Sequence, residues 1–229
     1  MLLGDALPVA MAYARLLAGA GVERGLLGPS ETDRIWDRHL LNCAAVAELV
    51  PVTTTRLADL GSGAGLPGLV LAMLLPAAEV VLVEPMARRT VFLSECAESL
   101  GLSKVRIERG RAEDLAGRVD ADVVTSRAVA PLDRLAVLAS GLARPGGLVL
   151  AIKGAGAAGE LDQAMPVLRR LGARDAAVVH AGTAVLEQPT TVVRFLAGLG
   201  ATADRDPVRA ARGSRRPLGL SVQPPVRSA

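Results

Sequence analysis

The stretch Leu57-Ala58-Asp59-Leu60-Gly61-Ser62-Gly63-Ala64-Gly65-Leu66-Pro67-Gly68 indicates the fold of this chain more clearly than any other. An apolar run ends in three glycines at alternate positions, and an apolar helical pattern from Leu66 to Leu75 follows at once. This order is typical of a strand, a tight turn and a helix. Glycine serves where the backbone turns sharply or approaches a ligand, and the first N–H groups of the helix face the turn. The stretch therefore predicts a site for a nucleotide-like cofactor.

Strands and helices alternate outward from this stretch. After the strand at 57–60 and its helix, the pattern predicts strands at 79–84, 105–109, 121–126, 148–152, 174–180 and 190–196, with helices at 87–100, 132–143 and 160–171. Residues 144–147, Arg-Pro-Gly-Gly, are predicted as a turn. The alternation predicts an α/β fold with a doubly wound, mostly parallel sheet of seven strands. Because only a short loop joins the last two strands, they are predicted to form an antiparallel pair.

Two segments flank this core. Residues 5–21 and 30–50 are predicted as helices, which gives an N-terminal helical extension over residues 1–52 before a core at 53–199. Residues 200–229 are predicted as a disordered basic tail, since they are rich in Arg, Pro, Gly, Ala and Ser. Six Arg and two Asp give this tail a charge of +4, against +3 for the whole chain, which leaves the first 199 residues near −1.

Composition narrows the class of protein. With 229 residues and 51% hydrophobic residues, one domain with a sizeable core is expected. The 2% of aromatic residues argues against a stacking platform for single-stranded nucleic acid. No membrane-spanning helix, secretory signal or metal site is predicted. Cys43 and Cys96 lie in helical patterns, so a disulfide is not expected and a reducing cytoplasm fits.

Two cofactors are compatible with the glycines. Gly63-x-Gly65-x-x-Gly68 satisfies the dinucleotide fingerprint, and Glu84 follows about 20 residues later, so a dehydrogenase is one interpretation. Asp59 before the glycines, Glu84 at the second strand's end and Arg111-Ala112-Glu113-Asp114 after the third instead resemble the motifs of class I methyltransferases. A Rossmann-like sheet that closes with an antiparallel pair is the variant found in that superfamily. These features favour S-adenosylmethionine, held by Asp59, Gly61, Gly63 and Glu84.

Five motifs in order carry a more specific resemblance: Trp36-Asp37-Arg38-His39-Leu40-Leu41-Asn42, the stretch Asp59 to Gly68, Arg111-Ala112-Glu113, Ser126-Arg127-Ala128 and Lys153-Gly154. Their order and spacing closely resemble the RsmG family, also called glucose-inhibited division protein B, over about residues 5–197. Members of that family methylate N7 of guanine 527 in bacterial 16S ribosomal RNA with S-adenosylmethionine. The resemblance implies the same reaction here, on 16S rRNA, the small ribosomal subunit or its assembly intermediate.

The resemblance also assigns residues. It places Gly61, Leu66, Ala112, Glu113 and Arg127 at the cofactor positions of the family, and it matches Arg111 and Arg127 to arginines tied to activity. The residues predicted to be catalytic are Arg127, Arg111, His39 and Lys153, and those predicted to bind RNA are Arg38, Arg88 and Arg89. One departure is visible, because Asn42-Cys43 stands where many members carry Asp-Ser. If that Asp orients His39, the amide oxygen of Asn42 could do so without charge.

The chemistry of guanine N7 agrees with these residues. N7 has a lone pair and no proton, so the enzyme needs no general base and has only to hold nitrogen, methyl and sulfur in line. The Asp/Asn-Pro-Pro-aromatic motif of exocyclic amine methylation is replaced by residues 126–131, Ser-Arg-Ala-Val-Ala-Pro. Neither cysteine stands at a strand end, where a nucleophile for a pyrimidine carbon is needed. Arg111, Arg127 and Lys153 follow strands at the edge that binds ligands, and they suit an RNA phosphate or a guanine edge.

Alternatives remain open on sequence grounds. The chain could be a small-molecule methyltransferase or a noncatalytic ribosome-binding protein. Arg127 could simply pair with Asp59 or Glu113, and Lys153 could be a solvated lysine. We expect a monomer in the cytoplasm with no membrane partner.

Overall fold

The structure, a computed structural model, describes residues 2–198. Its seven strands are β1 Arg56–Leu60, β2 Glu79–Glu84, β3 Val105–Arg109, β4 Ala121–Arg127, β5 Ala143–Ile152, β6 Arg174–Ala181 and β7 Thr190–Leu196. They form one sheet in the order β3-β2-β1-β4-β5-β7-β6. Strand β7 is antiparallel to both of its neighbours, β5 and β6. The doubly wound sheet and the antiparallel last pair are confirmed, whereas the insertion of β7 between β5 and β6 was not predicted.

The helices follow the predicted order. The N-terminal extension contains two continuous helical segments, each of mixed helix type. The first consists of Gly4–Ala6 (3-10), α1 Leu7–Leu16 and Leu17–Gly21 (π). The second consists of Pro29–Arg34 (3-10), Ile35–Leu40 (π), α2 Leu41–Ala45 and Val46–Leu49 (3-10). The later helices are α3 Gly68–Leu74, α4 Ala87–Ser99, a 3-10 turn Ala112–Leu115, α5 Leu132–Leu142 and α6 Ala157–Arg170. Helix α3 begins two residues later than predicted because Leu66 precedes Pro67, and the residue before a proline disfavours the α conformation. Within residues 2–198 no helix is long and apolar enough to cross a membrane.

Two hydrophobic cores cover the two faces of the sheet. Consecutive residues of β1, Leu57 and Ala58, belong to different cores, as strand geometry requires. The first core joins the sheet to α3, α4 and the N-terminal helices, whose Tyr13 and Leu40 are fully buried. The second joins it to α5 and α6. The helical extension therefore packs on the face to which Asp59 also points. The division at residues 52 and 53 stays a prediction, and the predicted tail at 200–229 lies outside the described residues.

The predicted turn at residues 144–147 is wrong, because these residues lie inside β5. Ala143 pairs with Ala121, but Leu148 pairs with Val123, so residues 144–147 bulge opposite the single residue Asp122. Gly146 has φ +75°, a conformation that glycine adopts readily within such a bulge, and its N–H donates to the carbonyl of Ala197 at 3.0 Å. Pairing on both sides of the bulge keeps a glycine-rich segment within a continuous strand.

Candidate active site

The carboxyl ends of β1 and β2 meet at the glycine turn, which we define as residues 61–67. The N–H of Gly61 donates to the carbonyl of Val83 at 2.9 Å, which ties the turn to β2. Glu84, the last residue of β2, is only 1% exposed. Its Oε2 accepts the N–H of Gly63 at 3.0 Å, and its Oε1 accepts the N–H of Met86 at 2.9 Å. A buried carboxylate with further lone pairs therefore lies directly against the turn.

Asp59 lies beneath the turn rather than at its surface. Its carboxyl group is fully buried, and it accepts the N–H of Gly68 at 3.0 Å and the hydroxyl of Thr125 at 3.3 Å. Burial raises the pKa of Asp59 to about 6, although these hydrogen bonds oppose the shift. The hydrogen bonds of Asp59 thus connect β1, to which it belongs, with the start of α3 and with β4. Its predicted contact with a cofactor stays a prediction.

The two acids distinguish the two candidate cofactors. A dinucleotide site presents the N–H groups of its glycine turn to a pyrophosphate. Here the N–H of Gly63 donates to the Glu84 carboxylate, whose negative charge would repel a pyrophosphate. The same carboxylate can accept hydrogen bonds from ribose hydroxyls. A Cβ at Gly63 would meet nothing nearer than the Gly61 carbonyl at 3.8 Å, so there is room beside the turn. These residues fit the ribose and the cationic sulfonium of S-adenosylmethionine.

Arg127 ends β4 on the same face of the sheet as Asp59 and the N-terminal helices. Its Nη2 donates to Nδ1 of His39, and its Nη1 donates to Sγ of Cys43 at 3.5 Å. Within residues 2–198, no carboxylate oxygen lies within 4 Å of its guanidinium. The structure thus does not contain the ion pair with Asp59 or Glu113 that the sequence allowed. Arg127 is a half-buried cation whose side-chain partners are neutral.

His39 orients Arg127 and is itself oriented by Glu31. Because a guanidinium only donates, Nδ1 of His39 must accept, which leaves the ring proton on Nε2. That nitrogen donates to Oε2 of Glu31 at 2.8 Å. Burial lowers the pKa of His39, and the Arg127 charge lowers it further, while Glu31 acts in the opposite direction. A neutral imidazole therefore links a carboxylate to the arginine.

Glu31 was missed by the sequence reasoning, which placed it in the predicted helix at residues 30–50 and gave it no role in the site. The available signal was its position seven and eight residues before Arg38 and His39, about two helical turns. Its Oε1 accepts from Nη1 of Arg38 at 3.0 Å, so Arg38 is held in an ion pair, with 51% of its side chain exposed. Tyr13 was missed too. Its hydroxyl donates to the carbonyl of Ala64 at 2.6 Å and connects α1 to the glycine turn.

Asn42 does not orient His39, so that hypothesis is wrong. Its Oδ1 accepts from the hydroxyl of Thr190 at 2.6 Å, and its amide nitrogen donates to two carbonyls of the preceding helical turn. The local helix directs Asn42 towards β7, whereas His39 faces Glu31. Its neighbour Cys43 is fully buried, and burial raises its pKa to about 11, so it remains a thiol at neutral pH.

Lys153 lies on the other face of the sheet. Arg127 pairs with Ile152, so the next residue of the chain points away from Arg127. Its Nζ donates to Oε2 of Glu160 at 2.7 Å and to the carbonyl of Ala130 at 3.0 Å. The structure brings Arg127 and His39 together but does not bring Lys153 to them.

The other predicted site residues lie near the carboxyl ends of the strands, outside the group formed by Glu31, His39 and Arg127. Arg111 is exposed beyond β3, and in the described part of the chain no carboxylate lies within 4 Å of it. Nη1 of Arg89 lies 3.5 Å from Oε2 of Glu84, while Arg88 is exposed. Leu66 and Ala112 are buried, and Glu113 is exposed, 3.9 Å from Arg134.

Comparisons with known proteins show the family to which this chain belongs. The family described as rRNA small subunit methyltransferase G matches residues 7–189. A protein of Salinispora tropica named ribosomal RNA small subunit methyltransferase G is 52% identical, over 94% of this chain and 92% of its own length. A protein of the same name from Thermobifida fusca is 53% identical, over 84% and 81%. Among solved structures, the S-adenosylmethionine-dependent methyltransferase SibL has a TM-score of 0.58 at 17% identity, over 86% of this chain and 70% of its own. That likeness shows the fold.

Proposed function

The chain belongs to the rRNA small subunit methyltransferase G family, and we propose that it methylates N7 of guanine 527 in 16S ribosomal RNA. The family resemblance predicted from the five ordered motifs is confirmed. The chain is an S-adenosylmethionine-dependent rRNA methyltransferase with the class I fold. The dehydrogenase, small-molecule methyltransferase and noncatalytic alternatives gain no support from these matches. The division into residues 1–52, 53–199 and 200–229, the monomeric state and the cytoplasmic location are part of this proposal.

The observation that carries the proposed site is the half-buried Arg127 without a carboxylate partner among the described residues. A buried charge is costly unless it is paired or bound to a ligand of opposite sign. Its fork also suits two oxygens of one phosphate. We place Arg127 on an RNA phosphate beside the target guanine. N7 is a poor partner for it, because the attacking lone pair must stay free and the methylated base becomes cationic.

The remaining residues position the two reactants. S-adenosylmethionine supplies an electrophilic methyl group on a sulfonium centre. Glu84 would accept hydrogen bonds from the ribose hydroxyls, and the glycine turn would hold the cofactor, while Glu31 and His39 hold Arg127. Because N7 carries no proton, alignment is the main contribution that these side chains make. The proposed cofactor contacts are Asp59, Gly61, Gly63, Leu66, Glu84, Ala112 and Glu113. The proposed RNA contacts are Arg127, Arg111, Arg38, Arg88 and Arg89.

The test of this function is a methylation assay on defined ribosomal particles. The protein is incubated with S-adenosylmethionine and 30S subunits, or with naked 16S rRNA, from a strain that lacks the modification. We expect 7-methylguanosine in the digested RNA, located at position 527 by primer extension after chemical cleavage. Particles in which that guanine is replaced by adenine serve as the control. Absence of 7-methylguanosine from both substrates would contradict the proposal.

Replacing Glu31 with Ala is expected to lower kcat about tenfold, since small losses of alignment are costly in such reactions. The variant frees His39 to rotate, so Arg127 loses its fixed direction, whereas the affinity for S-adenosylmethionine should stay unchanged. Steady-state kinetics and calorimetric titration measure the two effects. Asp33→Ala is the matched control, because Asp33 is an exposed acid two residues away. Equal kcat values for the two variants would assign Glu31 no part in orienting Arg127.

Deleting residues 200–229 is expected to weaken RNA binding and to flatten its dependence on salt. Each phosphate contact made by an arginine releases counterions and steepens that dependence, and this segment carries six arginines. Binding of S-adenosylmethionine should be unaffected. Affinity for 16S rRNA is measured across a salt titration, beside a full-length variant whose six tail arginines are replaced by Gln. Identical slopes for all three proteins would refute the role of the tail.

A further inference from the structure

The β4–α5 loop, residues 128–131, follows Arg127 directly and covers the start of the glycine turn. Ala128 has φ +54°, a left-handed conformation that is unfavourable for a residue with a side chain. Val129 packs on Gly61 so closely that a Cβ at Gly61 would lie 2.6 Å from Cγ2 of Val129. The loop therefore connects the proposed RNA-binding arginine to the proposed cofactor turn. Its conformation is strained and needs support from its surroundings.

That support comes from an ion pair between Lys153, the residue that follows β5, and Glu160 of α6. Nζ of Lys153 donates to the carbonyl of Ala130 at 3.0 Å and to Oε2 of Glu160 at 2.7 Å. The same Oε2 accepts the N–H of Leu132 at 3.2 Å. The ion pair therefore binds the backbone at the point where the loop enters α5. Lys153 binds the carbonyl of Ala130, and Glu160 binds the N–H of Leu132.

The burial of Lys153 argues against a direct phosphate contact. Its side chain is only 9% exposed, its charge is balanced by Glu160, and two of its three donors are used inside the protein. It also lies on the face of the sheet opposite Arg127. A lysine that binds RNA needs an exposed head group with a free charge.

We propose that Lys153 and Glu160 form a clamp that holds the β4–α5 loop in its strained conformation and so positions Arg127 relative to the glycine turn. The two are positioning residues, since they reach the reactants only through the loop. The part of this inference that concerns catalysis rests on the methyl transfer proposed above. Glu160 carries no motif of its own in the sequence, and its role follows from its contacts alone.

The test compares Lys153→Ala, Glu160→Ala and the double variant. Because both residues hold one loop, each single change should lower kcat about tenfold, and the double variant should be no slower than either single one. Amide exchange measured by mass spectrometry should rise at least about threefold in a peptide spanning residues 128–134 and stay constant over 105–109. Glu160→Gln, which can still accept from Leu132, should recover part of both effects. Asp162→Ala removes an exposed acid from the same helix and is the matched control.

A direct RNA contact of Lys153 gives the opposite pattern. Lys153→Ala would then raise KM for the ribosomal substrate and reduce its salt dependence, while Glu160→Ala would leave kcat intact. That result overturns the clamp, as does unchanged exchange over residues 128–134 in both single variants. The exchange measurement needs no turnover, so it decides on the clamp even if the wild-type protein forms no 7-methylguanosine.

Discussion

Replacing Arg127 with Ala is expected to lower kcat/KM for the ribosomal substrate at least about 100-fold, the cost of losing a charge-assisted contact that aligns the reactants. The variant removes the half-buried cation for which the structure shows only His39 and Cys43 as side-chain partners among the described residues. Folding should survive, because neither partner is left as a buried unpaired charge: His39 is neutral and Cys43 stays a thiol. The measurement is the initial rate of methyl transfer to 30S subunits, with thermal unfolding as the check on folding.

Two further variants sharpen this experiment. Arg127→Lys keeps the charge but loses the planar fork, so it should recover only a small part of the rate. Arg118→Ala removes an exposed arginine that precedes β4 and should leave the rate unchanged. If Arg127→Ala turned over at the wild-type rate, Arg127 would be a structural link between β4 and the helical extension and nothing more.

Replacing Gly65 with Ala is expected to lower the free energy of unfolding by about 3 kcal/mol, the combined cost of backbone strain and overpacking. Gly65 has φ +100°, and a Cβ there would lie 2.4 Å from Cδ1 of Leu69 and 2.7 Å from the hydroxyl of Tyr13. Displacing Tyr13 would also break its hydrogen bond to Ala64, which joins α1 to the turn. Binding of S-adenosylmethionine should be lost together with stability. Urea unfolding and calorimetric titration measure the two effects.

The control for this variant is another glycine changed to Ala. Gly159 lies inside α6, and a Cβ there would have no atom within 4 Å, so Gly159→Ala should be neutral or should stabilise the protein by about 0.5–1 kcal/mol. Wild-type stability in Gly65→Ala would mean that the turn can move away from Leu69 and Tyr13. The close packing of the turn would then be no requirement of the fold.

Regular periodicity explains why most of the fold could be predicted. The bounds of β2, β3 and β7 were predicted without error, since β2 and β7 are rich in apolar and β-branched residues and β3 alternates such residues with charged ones. Residues 144–147 failed because Pro and Gly indicate a turn locally, whereas pairing on both sides makes them a bulge within β5. The position of β7 between β5 and β6 also depends on pairing between distant segments, which leaves no local signal.

The amino-acid sequence was enough to predict the alternating fold, the glycine turn flanked by Asp59 and Glu84, and the family, while the catalytic role of Arg127 stays a prediction. Each of these is encoded in residues that are close together or in a constant order of motifs. The contacts between distant side chains emerged only in three dimensions: Glu31 with His39 and Arg127 on one face of the sheet, and Lys153 with Glu160 on the other. The two groups of contacts lie on opposite faces of the sheet because successive side chains of a strand point to opposite faces. Arg127 pairs with Ile152, so the next residue, Lys153, faces away from it. Two cations that look equivalent in the sequence therefore contact different partners on opposite faces of the sheet.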